Sequence, residues 1–241
     1  MKYFTKDFYQ LFDYVPYLLE EEKQAECFSE EYFLKLYSEK VEEMLKAMEQ
    51  LPSHLRDYKP FDRDKEAKNF YDYINDHKKI KNILPNYILR EIADLRVFML
   101  GKASRNVVNA LYQLHEEKEK YSQNVAEEYR TYYKQASKLF LPEIVENLHF
   151  HDCFIKEINK NENELKILFD NSGSQSPIEQ VIFENYKIIK CEDLLENSWW
   201  IYEEIYKSND IYELHVLLQK KDMKLIEFII SFENIKFHKK M

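Results

Sequence analysis

Two histidines and an aspartate lie within four residues, His149-Phe150-His151-Asp152, where the pattern of the chain changes. Residues two apart in a strand point the same way, so we expect His149 and His151 to share a side. Imidazole and carboxylate groups are ligands for Zn²⁺ or Mn²⁺, and a carboxylate can also orient an imidazole for acid–base chemistry. His-x-His is a common spacing, however, and a strand-edge pair without chemistry is the simpler interpretation.

A second polar group is predicted some 60 residues later. Apolar and polar residues alternate on both sides of Ser208-Asn209-Asp210, which is typical of a β-hairpin. If all three residues form the turn, Glu203 faces His215, and Glu213 lies on the same side. A helix over 198–207, capped by Ser198, is the alternative, and it would separate Glu203 from His215.

Together these residues form one candidate polar site. Its members are His149, His151, Asp152, Glu203, Glu213 and His215. The candidate metal ligands are His149, His151 and His215, and the competing interpretation is a Glu–His pair that only holds strand register. Because no serine or cysteine has a recognisable nucleophile context, we assign no catalytic residue, expect no cofactor and favour a non-enzymatic role.

The aromatic run at Trp199, Trp200 and Tyr202 supplies candidate anchors for a binding partner. Adjacent strand residues face opposite sides, so one tryptophan is predicted in the core and the other at the surface or in a cleft. Exposed tryptophan is a frequent anchor at interfaces. The alternative is that the helical part of the chain covers both rings.

Composition excludes several classes of protein. The formal net charge is −9, with −4 up to residue 147 and −5 beyond it, so no basic face predicts a nucleic-acid or membrane partner. Two glycines cannot form a Gly-rich phosphate loop. The sequence has no apolar stretch long enough to predict a signal peptide or a membrane span. Three scattered cysteines fit a reducing cytoplasm, with buried thiols expected.

The first 145 residues show helical periodicity. Thr5, Ser29, Asp62 and Ser104 are predicted N-caps, and Pro16 and Pro52 end the first two helices. A helix is predicted from Pro85 to a stop at Gly101. An uninterrupted stripe from Val107 to Leu139 then predicts one long helix.

From Leu148 onward, apolar residues recur at every second position, as in strands, and no longer at helical spacing. Short alternating runs begin at Phe150, Leu165, Val181, Trp199, Ile211 and Ile226, and the last can continue to Phe237. We therefore predict an α+β protein in which a helical domain, 1–145, precedes a β-rich domain, 146–241. The sheet is expected to be antiparallel, with five to seven strands.

Four segments resemble an uncharacterised "domain of unknown function" family of Bacillus-type bacteria. They are the start Met1-Lys2-Tyr3-Phe4-Thr5-Lys6, the Leu-His-Asp-like entry at 148–152, the Trp-x-Tyr-Glu-Glu run at 200–204 and the Tyr-Glu-Leu-His run at 212–215. Phe150-His151 interrupts the second segment, so either His149 or His151 corresponds to the family's histidine. The resemblance implies a cytosolic protein with a helical part before a β part, and no activity or functional residue.

The sequence therefore favours a cytoplasmic binding or regulatory module with a protein partner. An immunity-type inhibitor of a toxin would be one such role, because acidic sheets can bind basic partners. A metal-dependent enzyme centred on the histidines is the alternative. The sequence gives no oligomeric state.

Overall fold

A computed structural model describes residues 1–10, 19–52 and 61–239 and confirms the α+β class. The predicted stop at Pro16 lies outside these residues. The helices are α1 (Lys6–Gln10), α2 (Glu30–Gln50), α3 (Arg63–Asn75), α4 (Lys78–Ile83), α5 (Asn86–Leu89), α6 (Leu95–Met99), α7 (Arg105–Ala136) and α8 (Pro142–Asn147).

The predicted caps begin the helices that the periodicity indicates. Ser29 Oγ accepts the backbone N–H of Tyr32, and Asp62 Oδ1 accepts that of Lys65. These bonds satisfy amides that have no partner within the first turn of a helix. The long helix is also confirmed: α7 follows the cap Ser104 and continues as a 3-10 turn at Ser137–Leu139.

The prediction of one continuous helix from Pro85 to Gly101 is wrong, because the segment between Leu89 and Leu95 is not helical. The chain instead forms α5 and α6, and Asp94 caps the second one by accepting the N–H of Arg96 at 2.9 Å. Asp94, which is buried, also binds the partly exposed Arg96 guanidinium at 2.8 Å, so an ion pair adds to the cap. The stop itself is confirmed, since Gly101 has a φ of 84°.

Ten strands form two sheets among the described residues. β1 (Glu20–Glu21) and β2 (Lys102–Ala103) make a short parallel pair. The other strands form an antiparallel sheet in the order β10-β5-β4-β3-β7-β8-β9-β6. Their ranges are β3 (Phe154–Lys160), β4 (Glu164–Asp170), β5 (Ile178–Glu184), β6 (Lys187–Cys191), β7 (Ser198–Ser208), β8 (Ile211–Lys220), β9 (Leu225–Phe232) and β10 (Asn234–Lys239).

The large sheet has eight strands instead of the expected five to seven. The strand predicted from Ile226, with its continuation to Phe237, forms two strands in the structure. Glu233 separates β9 from β10, and the two pair with β6 and β5 respectively. The register continues across the break, with Ser231 opposite Lys187 and Asn234 opposite Glu184. β9 and β10 are consecutive in the chain but lie at opposite ends of the sheet order. The sheet therefore curls around a core that includes Phe150, Trp200 and Phe228.

By contacts, the chain divides into two compact units: residues 1–11 with 120–241, and residues 12–119. The division lies inside α7, whereas the sequence places a domain boundary at 145/146. Contact density does not test independent folding, so the two predicted domains, 1–145 and 146–241, remain a prediction. Each unit has its own buried clusters.

Two smaller expectations can be compared with the structure. Within the described ranges, no helix is long and apolar enough to cross a membrane. All three cysteines are free, but only Cys153 is buried, so the expectation of buried thiols is wrong for Cys27 and Cys191.

Candidate functional site

The β7–β8 hairpin confirms the predicted strands and corrects their register. Residues 198–207 are strand, not helix. The turn contains two residues, Asn209 and Asp210, and Asn209 adopts a φ of 55°, which asparagine tolerates. Near the turn, Glu204 faces His215, so the predicted pairing of Glu203 with His215 is wrong.

A β-bulge at Ile201 changes which side of β7 each residue occupies. Trp200 pairs with Leu218 as the predicted register requires, but Tyr202 pairs with Leu217. The extra residue reverses the alternation, so that Trp200, Glu203 and Ile205 lie on the core side. Glu203 is therefore separated from Glu213 and His215, which lie on the opposite face.

Glu204 occupies the position predicted for Glu203, and its carboxylate is fully buried. Its oxygens accept the backbone N–H groups of Lys2, Tyr3 and Phe4 at 2.8, 2.7 and 2.6 Å. The hydroxyl of Tyr206 donates to it at 2.6 Å, and burial together with this bond raises the pKa of that hydroxyl. The sequence analysis missed Glu204; the available signal was the Met1–Lys6 segment, whose amides it binds.

His215 and Glu213 form a pair on the face of the sheet that also carries Glu204. Nε2 of His215 lies 2.5 Å from Oε1 of Glu213, and the Tyr206 ring lies edge-on to the imidazole at 5.0 Å. An ionised carboxylate only accepts, so Nε2 carries the proton. The buried Nδ1 has no hydrogen-bond partner among the residues that the structure describes.

His149, His151 and Asp152 line a separate groove of about 630 Å³, whose other wall is the loop 173–177. His151 donates through Nδ1 to the carbonyl of Ile201, and its Nε2 lies 3.6 Å from Oδ2 of Asp152. All three side chains are exposed. Asp152 has a φ of 64° and donates its backbone N–H to Trp200.

The structure thus brings the six candidates together only in part. His149, His151 and Asp152 share a groove, Glu213 binds His215, and Glu203 lines a second cavity to which His149 also contributes. The contacts of His151 and His215 have no residue in common. Across residues 1–10, 19–52 and 61–239, no group of three or more His, Cys, Asp or Glu side chains could hold a metal ion.

His149 lines both this groove and a second cavity, of about 350 Å³. Glu203 lines that second cavity with Phe4, Tyr129, Tyr133, Leu148 and Ile205. Its Oε2 accepts the indole N–H of Trp200 at 2.6 Å. Burial raises the pKa of this carboxyl to about 7, although the Trp200 bond and the positive potential of His151 oppose the rise. A carboxyl with such a pKa can be charged or neutral near neutral pH.

Tyrosines of α7 cover the edge of β7 where β3 diverges from it. β3 pairs with β7 only at Phe154–Trp199 and Ile155–Ser198, which leaves later residues of β7 without a strand on that side. The Tyr132 hydroxyl donates to the carbonyl of Ile205, and the Tyr129 hydroxyl accepts its N–H. These side chains replace a neighbouring strand, and Tyr129 also lines the Glu203 cavity.

The three candidate anchors have different environments. Trp200 is fully buried against Phe150, so it offers no surface to a partner. Trp199 is partly exposed and contacts Phe154, as expected for adjacent residues on opposite sides of a strand. Tyr202 is half-buried beneath the aromatic rings of the N-terminal segment.

These features define an α+β protein with a curled antiparallel sheet and a tyrosine-lined cavity around one carboxyl group. The chain belongs to the family described as "Protein of unknown function (DUF4085)", which matches residues 27–230. The match confirms the resemblance to a family of unknown function; an origin in Bacillus-type bacteria stays a prediction. Comparisons with curated proteins and with solved structures find no match.

Proposed function

We propose that this protein is a non-enzymatic binding or regulatory module that recognises a protein partner through the β-rich part of the chain. The observation that carries the proposal is a pair of very exposed apolar side chains, Leu194 and Met223, which are 74% and 67% exposed. Clustered exposed apolar groups are typical of protein-binding surfaces. Leu194 and Met223 each follow or precede a residue of the Asp193–Lys224 ion pair, and the two loops that carry them are called the Leu194 surface.

Three interactions hold the two loops of this surface together. Lys224 binds Asp193 at 2.6 Å, and Lys220 donates to the carbonyls of Leu194 and Glu196. A fixed surface loses less conformational entropy on binding than a mobile one. The arrangement therefore favours a preformed docking surface over two unrelated exposed residues.

The backbone at Met223 adds a second argument. Its φ is 69°, a conformation that long side chains rarely adopt and that costs about 1 kcal/mol. In this turn, Met223 donates its N–H to Lys220 while its side chain projects into solvent. Strain that exposes a large apolar group is better explained by recognition than by stability.

Charge selects the class of partner. The chain carries a formal net charge of −9, which attracts a positively charged protein at long range and repels an acidic one. We propose a basic partner with an apolar contact patch. An immunity-type inhibitor of a basic toxin is one role of this kind, and a cytoplasmic location is proposed with it.

The test compares three baits in extracts of the source cells. They are the wild type, the double variant Leu194→Asp/Met223→Asp, and Leu139→Asp, which changes an equally exposed leucine elsewhere. A true partner is recovered by the wild type and by Leu139→Asp and is lost with the double variant. With purified partner, the double variant should bind at least about 30-fold more weakly, as for an interface hot spot.

Circular dichroism and thermal unfolding establish that the double variant is folded. The proposal is wrong if no recovered protein distinguishes the double variant from Leu139→Asp. It is also wrong if the distinguishing partner is acidic and its binding strengthens with salt.

A further inference from the structure

The Glu203 cavity has the lining of a site for a small organic molecule. Its volume of about 350 Å³ lies at the lower end of the range for ligand pockets. Phe4, Tyr129 and Tyr133 supply aromatic surface, and the charged or titratable side chains of the lining also include Glu203, His149 and Arg130. A mostly apolar cavity with a few polar groups binds ligands that have an apolar body and a polar end.

The Glu203 carboxyl has one oxygen available for a ligand. Oε2 accepts the Trp200 indole N–H, which fixes the orientation of the group. Oε1 accepts no hydrogen bond from any residue in the described ranges 1–10, 19–52 and 61–239. A carboxylate oxygen is stabilised by a hydrogen-bond donor, and most strongly by a charged one.

We infer that this cavity binds a small primary ammonium ion whose ammonium group donates to Oε1 of Glu203 and whose apolar body packs against Phe4, Tyr129 and Tyr133. Aromatic faces attract cations through their negative quadrupole, so the same walls favour an ammonium group electrostatically. The inference is independent of the Leu194 surface, which lies elsewhere on the chain.

Other ligand classes fit the cavity less well. An anion would meet Glu203, and the one cationic side chain in the lining, Arg130, is bound to Glu127 and is 73% exposed. A divalent metal needs several hard oxygen or nitrogen ligands, whereas the described residues of the lining supply one carboxylate, Glu203, and one imidazole, His149. A neutral apolar molecule would leave Oε1 without a donor.

The charge state of Glu203 makes binding dependent on pH. Its pKa is raised to about 7, and an ammonium ion favours the ionised form, so binding must release a proton below that pH. Affinity should therefore rise with pH up to about 7 and then level off. Other titratable or charged groups around the carboxyl are Tyr129, Arg130 and Tyr133 of α7 and His149, His151 and Cys153 of the segment before β3.

Isothermal titration calorimetry with 2-phenylethylammonium as the probe tests the inference. Its neutral analogue, 2-phenylethanol, has the same apolar body without the charge. We expect the ammonium ion to bind the full chain at about pH 8 with at least tenfold higher affinity than the alcohol. Glu203→Gln should lose at least tenfold, while Glu162→Gln, which changes an exposed carboxylate in the β3–β4 turn, should bind as the wild type does.

Proton release distinguishes this site from unspecific binding. At about pH 6, titrations in buffers of different ionisation enthalpy should show a proton released per bound ion, and Glu203→Gln should show none. The inference is overturned if the probe does not bind at about 10 mM. Equal affinities for the alcohol, or for Glu203→Gln with its fold verified by circular dichroism, also overturn it.

Discussion

The backbone N–H of Tyr3 donates a 2.7 Å hydrogen bond to the carboxylate of Glu204, 201 residues further along the chain. Lys2 and Phe4 donate to the same carboxylate, so one buried side chain satisfies three successive amides. The Tyr3 and Phe4 rings in turn contact Tyr129 of α7. Glu204 therefore fixes the N-terminal segment to the sheet.

Glu204→Gln should lower the free energy of unfolding by about 3 kcal/mol. The substitution removes the charge and replaces one acceptor oxygen by a donor, so that buried N–H groups lose their partner. Urea denaturation measures the change. The exposed Glu162→Gln should unfold within about 0.5 kcal/mol of the wild type, and an equal loss in both variants would contradict the assigned role of Glu204.

Stability should depend on pH through Glu203. Its pKa rises from 4.5 to about 7 on folding, so the folded state binds the additional proton. The contribution to stability is complete below about pH 4.5 and is lost as the pH rises to about 7. We expect a loss of about 3 kcal/mol over this window.

Glu203→Gln isolates that contribution. Glutamine cannot ionise, so the variant should lack this part of the pH dependence and should be more stable than the wild type at about pH 8. Urea denaturation at a series of pH values measures both curves. Parallel curves for the two proteins would show that Glu203 titrates normally.

The hydroxyl of Tyr132 should stabilise the uncovered edge of β7. Tyr132→Phe removes its 3.0 Å bond to the Ile205 carbonyl, and we expect a loss of about 1 kcal/mol in urea denaturation. Tyr121→Phe, on an exposed ring of the same helix, should have no effect beyond about 0.3 kcal/mol. A neutral Tyr132→Phe would mean that water satisfies this carbonyl equally well.

Asp94 should stabilise the unit of residues 12–119 in two separable ways. Asp94→Asn keeps an acceptor for the Arg96 N–H but loses the ion pair, and we expect a loss of about 1 kcal/mol. Asp94→Ala also loses the cap and should cost about 2 to 3 kcal/mol. Amide hydrogen exchange in α6 measures both, with the exposed Asp72→Asn as control. Equal effects of Asn and Ala would assign the whole contribution to charge.

The sequence by itself determined the local elements. Ser29 and Asp62 cap their helices because a short polar side chain reaches the free amides of the first turn, and the stripe after Ser104 produces α7. The alternation of apolar residues likewise determined the strands and the two-sided exposure of Trp199 and Trp200. These signals depend on residues within a few positions of one another.

Only the tertiary structure decided the site. The bulge at Ile201 exchanges the sides of Glu203 and Glu204, and no local pattern marks it, because it arises where β7 leaves β3 and meets α7. The curl of the sheet likewise depends on the break at Glu233 between β9 and β10. These strands pair with β6 and β5, which lie about 50 residues earlier in the chain. A one-residue change in register moves a side chain from the solvent to the core, so long-range pairing decides which glutamate binds the backbone and which lines the cavity.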